Sequence, residues 1–345
     1  MPRIFASFWE KLAKTEILWY NGNIIKKEFH SVARKKNKSI RKSPFFILLA
    51  MILIVIFAWQ SGYLDGIFGG EEPTPTPPSP PVTEVKGSME LHVIDIGQGD
   101  SLLIKTDAGF ILIDTGDKSS TNEETLRSYL KAQGATTLEY AIFTHMDADH
   151  IGSADMVLKE FDVKRVIMPN LDESDIPTTV VFEDLLSALE ASVDTEVIEA
   201  VSGTVYELGG MTMKIVAPND TDYPKNDRNN YSVAVRLDYG STSFLLTGDA
   251  EKLSESQMLE AYPDGTLDCD FFKAGHHGAS TSNTEAFLAA VTPEIVAISC
   301  GKDNKYGHPH AEVLANFQKV GATVYRTDLE GTLVFVSDGT TITKK

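Results

Sequence analysis

Thr144-His145-Met146-Asp147-Ala148-Asp149-His150-Ile151-Gly152 holds four side chains able to ligate a cation within six residues. A strand-like run, 140–144, leads straight into it. Imidazole and carboxylate donors together suit divalent Zn, Mn or Fe. Side-chain alternation after the strand sends His145, Asp147 and Asp149 to the same side, where they converge on one point. The alternative is a polar loop with two incidental histidines, and the other polar clusters of the chain decide against it.

The chain has eight histidines, and six fall in three tight groups: His145/His150, His276/His277 and His308/His310. Each group adjoins a strand-like run or a turn. Leu245-Leu246-Thr247-Gly248-Asp249 is a strand ending in an acid. On its own, Asp249 reads as a helix cap. Phe272-Lys273-Ala274-Gly275-His276-His277-Gly278 is a second strand, running into a His pair framed by glycines. Lys273 beside the pair suggests an anion contact.

Twelve strand-like runs lie between 90 and 336, among them 90–96, 102–106, 110–114, 165–168, 211–217, 232–239 and 295–299. Helix signals separate groups of them. Thr121-x-x-Glu124 and Ser282-x-x-Glu285 read as capping boxes, and Pro309 suits a first helical turn. Regular βαβ alternation is absent. The expected architecture is α/β: two mixed sheets packed face to face with helices outside, a four-layer αββα sandwich.

Of the 345 residues, 42% are hydrophobic and 23% charged, which excludes a disordered or coiled-coil chain. Two cysteines exclude a disulfide scaffold and a Cys-rich zinc ribbon. Cys269 and Cys300 adjoin strands that could be neighbours; two separate buried thiols are preferred to a disulfide. The net charge is −18, yet residues 1–44 carry 11 Lys and Arg against 3 Asp and Glu. The acidity therefore belongs to the remainder, and it disfavours nonspecific adhesion to nucleic acid.

Residues 1–44 read as a basic cytoplasmic leader. Phe45–Trp59 is apolar at all fifteen positions, and 45–64 is long enough to cross a bilayer core of ~30 Å. Basic residues before it and Asp65, Glu71 and Glu72 after it place the N-terminus in the cytoplasm. Residues 65–87 form a linker with six prolines between 72 and 81, an extended spacer. The domain 88–345 would then lie outside a single-pass cell-membrane anchor.

His-x-Asp-x-Asp-His, Thr-Gly-Asp and Gly-His-His-Gly resemble the metallo-β-lactamase superfamily, most nearly the metallohydrolase domain of ComEC-type DNA-uptake (competence) proteins. Val93-Ile94-Asp95-Ile96-Gly97-Gln98-Gly99-Asp100-Ser101 is similar to that group's opening strand and turn. Ile111-Leu112-Ile113-Asp114-Thr115-Gly116 and Tyr306-Gly307-His308-Pro309-His310 resemble its early Asp motif and its last motif.

The resemblance implies one or two divalent metal ions, Zn or Mn, and a metal-activated water as nucleophile. It gives His145 and Asp147 to one metal. Asp149, His150 and one His of the pair, with His276 preferred, go to the second, and Asp249 bridges. Asp149 is also implied as proton carrier, with His308 or His310 approaching the substrate oxyanion or leaving oxygen. His277, Asn230, Ser232, Asp114 and Lys273 are left as substrate contacts or as braces around the ligands. The wider superfamily's second His is Asp147 here, and no histidine lies between His150 and His276. That departure makes the first site oxygen-rich, suited to harder ions such as Mn²⁺ or Mg²⁺.

The expected function is that of a membrane-anchored, outward-facing metal-dependent hydrolase of phosphodiester bonds in DNA or nucleotides. The alternatives are a cell-envelope phosphodiesterase acting on a teichoic-acid-like polymer, a lactonase or thioesterase-like hydrolase, and a non-catalytic surface binding module with a degraded metal site. No protein partner can be named from the residues.

Overall fold

The computed structural model describes residues 85 and 87–345, apart from 173, 221, 222 and 226. The leader, the apolar run 45–64 and nearly all of the Pro-rich linker lie outside the described residues. Among the described residues, no helix is long and apolar enough to cross a membrane.

Two large sheets carry the domain. In spatial order the first contains Ile342–Lys344, Leu333–Ser337, Met89–Val93, Leu102–Thr106, Gly109–Ile113, Tyr140–Ile142, Arg165–Met168 and Glu196–Glu199. The second contains Thr323–Arg326, Ile295–Ile298, Phe271–Lys273, Thr242–Leu246, Ala234–Tyr239, Met211–Ala217 and Val205–Leu208. Each is mixed: the first is antiparallel from Ile342–Lys344 to Gly109–Ile113 and parallel from there to Glu196–Glu199, and the second is parallel from Thr323–Arg326 to Thr242–Leu246 and antiparallel beyond.

Period-2 alternation builds the layers. Leu91, Val93, Leu102, Ile104, Ile111 and Ile113 of the first sheet meet Met213, Ile215, Val235, Leu237, Phe244 and Phe271 of the second in one buried core. The opposite face of the second sheet, with Leu245, Phe272 and Val296, packs with Phe287, Val313 and Phe317 of the helices Glu285–Val291 and Ala311–Lys319. Leu103, Leu112 and Val166 on the first sheet's other face are equally buried, as are Leu126 and Leu130 of helix Ser120–Ala132 and Phe182 and Leu185 of helix Val180–Ala191. These make the four layers.

Helix starts differ from the capping-box reading. Ser119 caps the first helix by accepting from Asn122 N, and Thr284 caps Glu285–Val291 by accepting from Phe287 N. Ser282 instead donates to Ala250 O at 2.9 Å. Helix Ala311–Lys319 begins after Pro309, with His310 at its N-cap. Cys269 and Cys300 are separate buried thiols.

Gly109–Ile113, Tyr140–Ile142, Thr242–Leu246, Phe271–Lys273 and Ile295–Ile298 take part in the parallel pairings. Their carboxyl ends carry Asp114, His145, Asp249, the His pair and Ser299, so one edge of the sandwich collects the polar chemistry.

Candidate metal centre

Asp114 and Thr144 leave neighbouring parallel strands side by side. Asp114 adopts a left-handed conformation, φ 58°, which Asp tolerates better than most residues. Its carboxylate accepts from Thr144 N at 2.8 Å and Thr144 Oγ1 at 2.6 Å. Oδ2 also lies 2.8 Å from Nδ1 of His150, and both side chains are fully buried. A proton held on Nδ1 turns Nε2 of His150 towards the centre. The short helix Ala148–Ile151 presents His150, whose carbonyl accepts from Thr115 N at 2.6 Å.

Asp249 follows Gly248, whose φ is +54°; a Cβ there would meet Thr144 Cβ at 2.8 Å. Asp249 N donates to Ser232 Oγ at 3.1 Å. Its Oδ2 lies 3.3 Å from His150 Nε2 and 3.5 Å from Nε2 of both His276 and His277. His277 is buried, with Nδ1 3.1 Å from Ser299 O and 3.3 Å from Asp100 Oδ1. Its Nε2 lies 3.5 Å from Asp149 Oδ2. Asp100 in turn binds Lys273 Nζ at 2.9 Å, both side chains being 1% exposed.

Four overlapping groups offer ligand atoms close together among the described residues: His145, His150 and Asp249; Asp149, His150 and His277; Asp100, Asp114 and His150; and Asp100, Asp249 and His277. Nε2 of His145, His150 and His277 and Oδ1 of Asp249 are buried without a hydrogen-bond partner. Leaving such atoms unsatisfied is costly, and divalent cations held by these groups would satisfy them. The donor set therefore fits a metal ion.

Burial alone would lower His277, but the carboxylates of Asp249 and Asp100 carry it up to about 10. His150 is likewise raised against burial by Asp249 and Asp114. Burial pushes Asp249 up, yet His150 and His277 hold it well below the usual carboxylate range. Without metal, protons stand where a cation would.

Three details of the geometry depart from the residue pattern. Asp147 is turned to Arg228, whose Nε donates to its Oδ1 at 2.9 Å, and it belongs to none of the four groups. Extended backbone does not continue through this segment, because Asp147 is the N-cap of Ala148–Ile151 and Asp149 lies inside that helix. The preferred His276 and its neighbour His277 are placed differently. His276 is partly exposed, with Nδ1 3.1 Å from Thr281 Oγ1 and 3.2 Å from Glu251 Oε1. His277 is the buried ring with the open nitrogen. His310 is spent on its loop, Nδ1 accepting from Ser280 N at 3.0 Å and Nε2 facing Tyr306 O at 3.3 Å.

His308 lies over the centre, its ring 5.6 Å from that of His276 and 6.2 Å from that of His277. Burial, then the nearby imidazoles, push it down to about 4. Asn230 holds a loop, its Oδ1 accepting from Glu251 N and Ser254 N. Ser232 Oγ is 3.4 Å from His145 Nδ1 and so braces that ring. Lys273 is committed to Asp100 and does not reach outward. Asp100 had no role assigned from sequence, although a lysine between Phe272 and Ala274 in a core strand requires a buried counter-charge.

Residues 94–302 match the family described as the metallo-beta-lactamase superfamily. The chain is 34% identical over 262 residues to ComE operon protein 3 of Bacillus subtilis, covering 71% of this chain and 33% of that protein. It is 29% identical to Recombination protein 2 of Haemophilus influenzae, covering 71% of this chain and 28% of that one. It is also 29% identical to Competence protein ComA of Neisseria gonorrhoeae, covering 70% and 31%. The chain thus spans about a third of the length of these curated relatives.

Proposed function

Because the chain belongs to the metallo-β-lactamase superfamily, we propose that it is a metal-dependent phosphodiesterase acting on nucleic acid or nucleotides. The reading includes anchorage through 45–64, with the domain 88–345 on the outer side of the membrane. One observation carries the chemistry: Nε2 of His145, His150 and His277 and Oδ1 of Asp249 are buried, partnerless and gathered at one edge. The likeness to competence proteins supports the substrate class.

His145, His150, His277, Asp149 and Asp249 would hold the cation. A bound divalent ion supplies Lewis acidity, lowering the pKa of water from ~15.7 towards ~7 and stabilising charge on phosphoryl oxygens. Asp114 and Thr144 fix His150, while Asp100 and Ser299 fix His277. Asp149 is held well below the usual carboxylate range, against burial, by its contacts with His277 and His150. It is therefore ionised at neutral pH, available to a cation and able to orient the attacking water by accepting a hydrogen bond. His308, neutral at that pH, offers a ring N–H to a phosphoryl or leaving oxygen.

With Asp147 turned to Arg228, His145 lacks its expected companion. One tight ion is the expected loading, with a second held weakly. The purified domain with added Mn²⁺ or Zn²⁺ should cleave a chromogenic phosphodiester and an oligonucleotide, and Asp249→Asn should abolish both activities. Equal activity in wild type and variant would overturn the proposal.

The net charge of −18 argues against a long DNA footprint, and the second reading is a phosphodiester-containing envelope polymer of the teichoic-acid kind. Cleavage of that polymer and not of the oligonucleotide would select it.

A further inference from the structure

Beside Asp149 lies a cleft of about 400 Å³ whose walls include Gln98, Asp117, Asp149, Asn304, Lys305 and Tyr306. We propose that this cleft receives an unpaired nucleobase of the substrate, stacked on Tyr306 and hydrogen-bonded by Gln98. The inference rests on the phosphodiesterase reading above and narrows its substrate to single-stranded or flipped-out nucleotides.

Tyr306 is a large side chain left 50% exposed at the rim of a candidate active site. Its loop is tied down by one residue. Asn304 Oδ1 accepts from Tyr306 N at 3.2 Å and His308 N at 3.0 Å, and Nδ2 donates to Gly301 O and His308 O at 2.9 and 2.6 Å. The exposed ring thus stands on a fixed turn. It lies nearly parallel to His308, 21° between planes and 5.6 Å between centroids. The two rings form a flat step from the histidine cluster into the cleft. A fixed aromatic surface of this kind binds any base by stacking, worth ~1–3 kcal/mol per base.

Gln98 supplies the second observation. Gly301 N donates to its Oε1 at 3.1 Å, which fixes which end of the amide is which. Its Nε2 is buried and has no hydrogen-bond partner. Turned into the cleft that Gln98 lines, this unpaired amide would donate to a base carbonyl.

Charge decides which part of a nucleotide enters. Asp117 and Asp149 line the cleft against Lys305 alone, so a phosphate would be repelled while an uncharged ring would not. The phosphate is left to the adjoining cluster, to which Asp149 also belongs. Lys305 Nζ rests 5.0 Å from the Tyr306 ring centroid and is exposed, free to swing to a flanking phosphate.

The test compares a short oligothymidylate with the same oligomer made abasic, on the metal-loaded protein. Binding is read by fluorescence anisotropy alongside cleavage. Tyr306→Ala is expected to raise KM for the oligothymidylate about 5- to 100-fold, with kcat nearly kept. It should leave the abasic oligomer's KM unchanged, and Tyr306→Phe should restore the wild-type preference. Equal losses on both oligomers, or no loss on either, would overturn the inference. Wild-type cleavage of both oligomers with the same KM would overturn it while leaving the phosphodiesterase reading standing. Tyr306-dependent preference in binding without any cleavage would support the base site and sink the phosphodiesterase reading.

Discussion

Asp114 Oδ2 and His150 Nδ1 lie 2.8 Å apart, with neither side chain exposed. Asp114 therefore acts on the metal centre through His150, fixing the tautomer that leaves Nε2 open. Asp114→Asn places an amide opposite Nδ1 and removes the negative charge that holds its proton. Metal affinity should fall about 10- to 100-fold. A competition titration against a chelator measures it, with circular dichroism as the control for folding. Unchanged affinity would show that His150 needs no brace.

Metal uptake should expel protons. His277 is raised to about 10 and His150 is also raised, so both carry a proton at pH 7 in the metal-free protein. A cation competes with those protons, so affinity should strengthen as pH rises towards 10 and weaken as it falls. Calorimetry in two buffers of different ionisation enthalpy reads the release directly. Heats independent of buffer would contradict the charge state described.

Lys273 and Asp100 form a pair with both side chains 1% exposed. Removing one partner strands a buried charge, so Lys273→Met should cost about 3–5 kcal/mol in a urea unfolding series. Adding Asp100→Asn to Lys273→Met should recover part of that loss, since the carboxylate left without its lysine is then removed. A double variant less stable than Lys273→Met would show that the ion pair is not the source of the cost.

Two glycines separate conformational strain from collision. Gly134 has φ +77° and open space where a Cβ would go, so Gly134→Ala should cost only ~1–2 kcal/mol. A Cβ on Gly152 would stand 2.2 Å from the backbone nitrogen of Lys118. Gly152→Ala must therefore shift the helix Ala148–Ile151 and should lower both the unfolding midpoint and metal affinity. Equal midpoints for the two variants would remove the close approach from the account.

Much of this was legible in the residues. Apolar alternation gave the strands of both sheets that meet in the core. The edge strands Glu196–Glu199 and Val205–Leu208 escaped notice because each has only four residues and is partly exposed. Acids and histidines directly after strands marked the site, since parallel strands deliver their carboxyl ends to one edge. Ring and carboxylate directions were not legible. Asp147 turned to Arg228 because a helix starts immediately after it. The different placement of His277 and His276 was not legible because both take left-handed backbone, φ 54° and 47°, where strand alternation gives no guidance. Asp100 is set by the turn through Gly97 and Gly99, and only its partner Lys273, 173 positions on, explains its burial.

The most direct test is the metal content of the purified domain after gel filtration, compared with a variant in which His145, His150 and His277 are all alanine. Wild type should keep at least one divalent ion per chain and the variant none, with matching circular dichroism. Equal metal content in the two proteins would mean that the three buried imidazoles do not form the centre described.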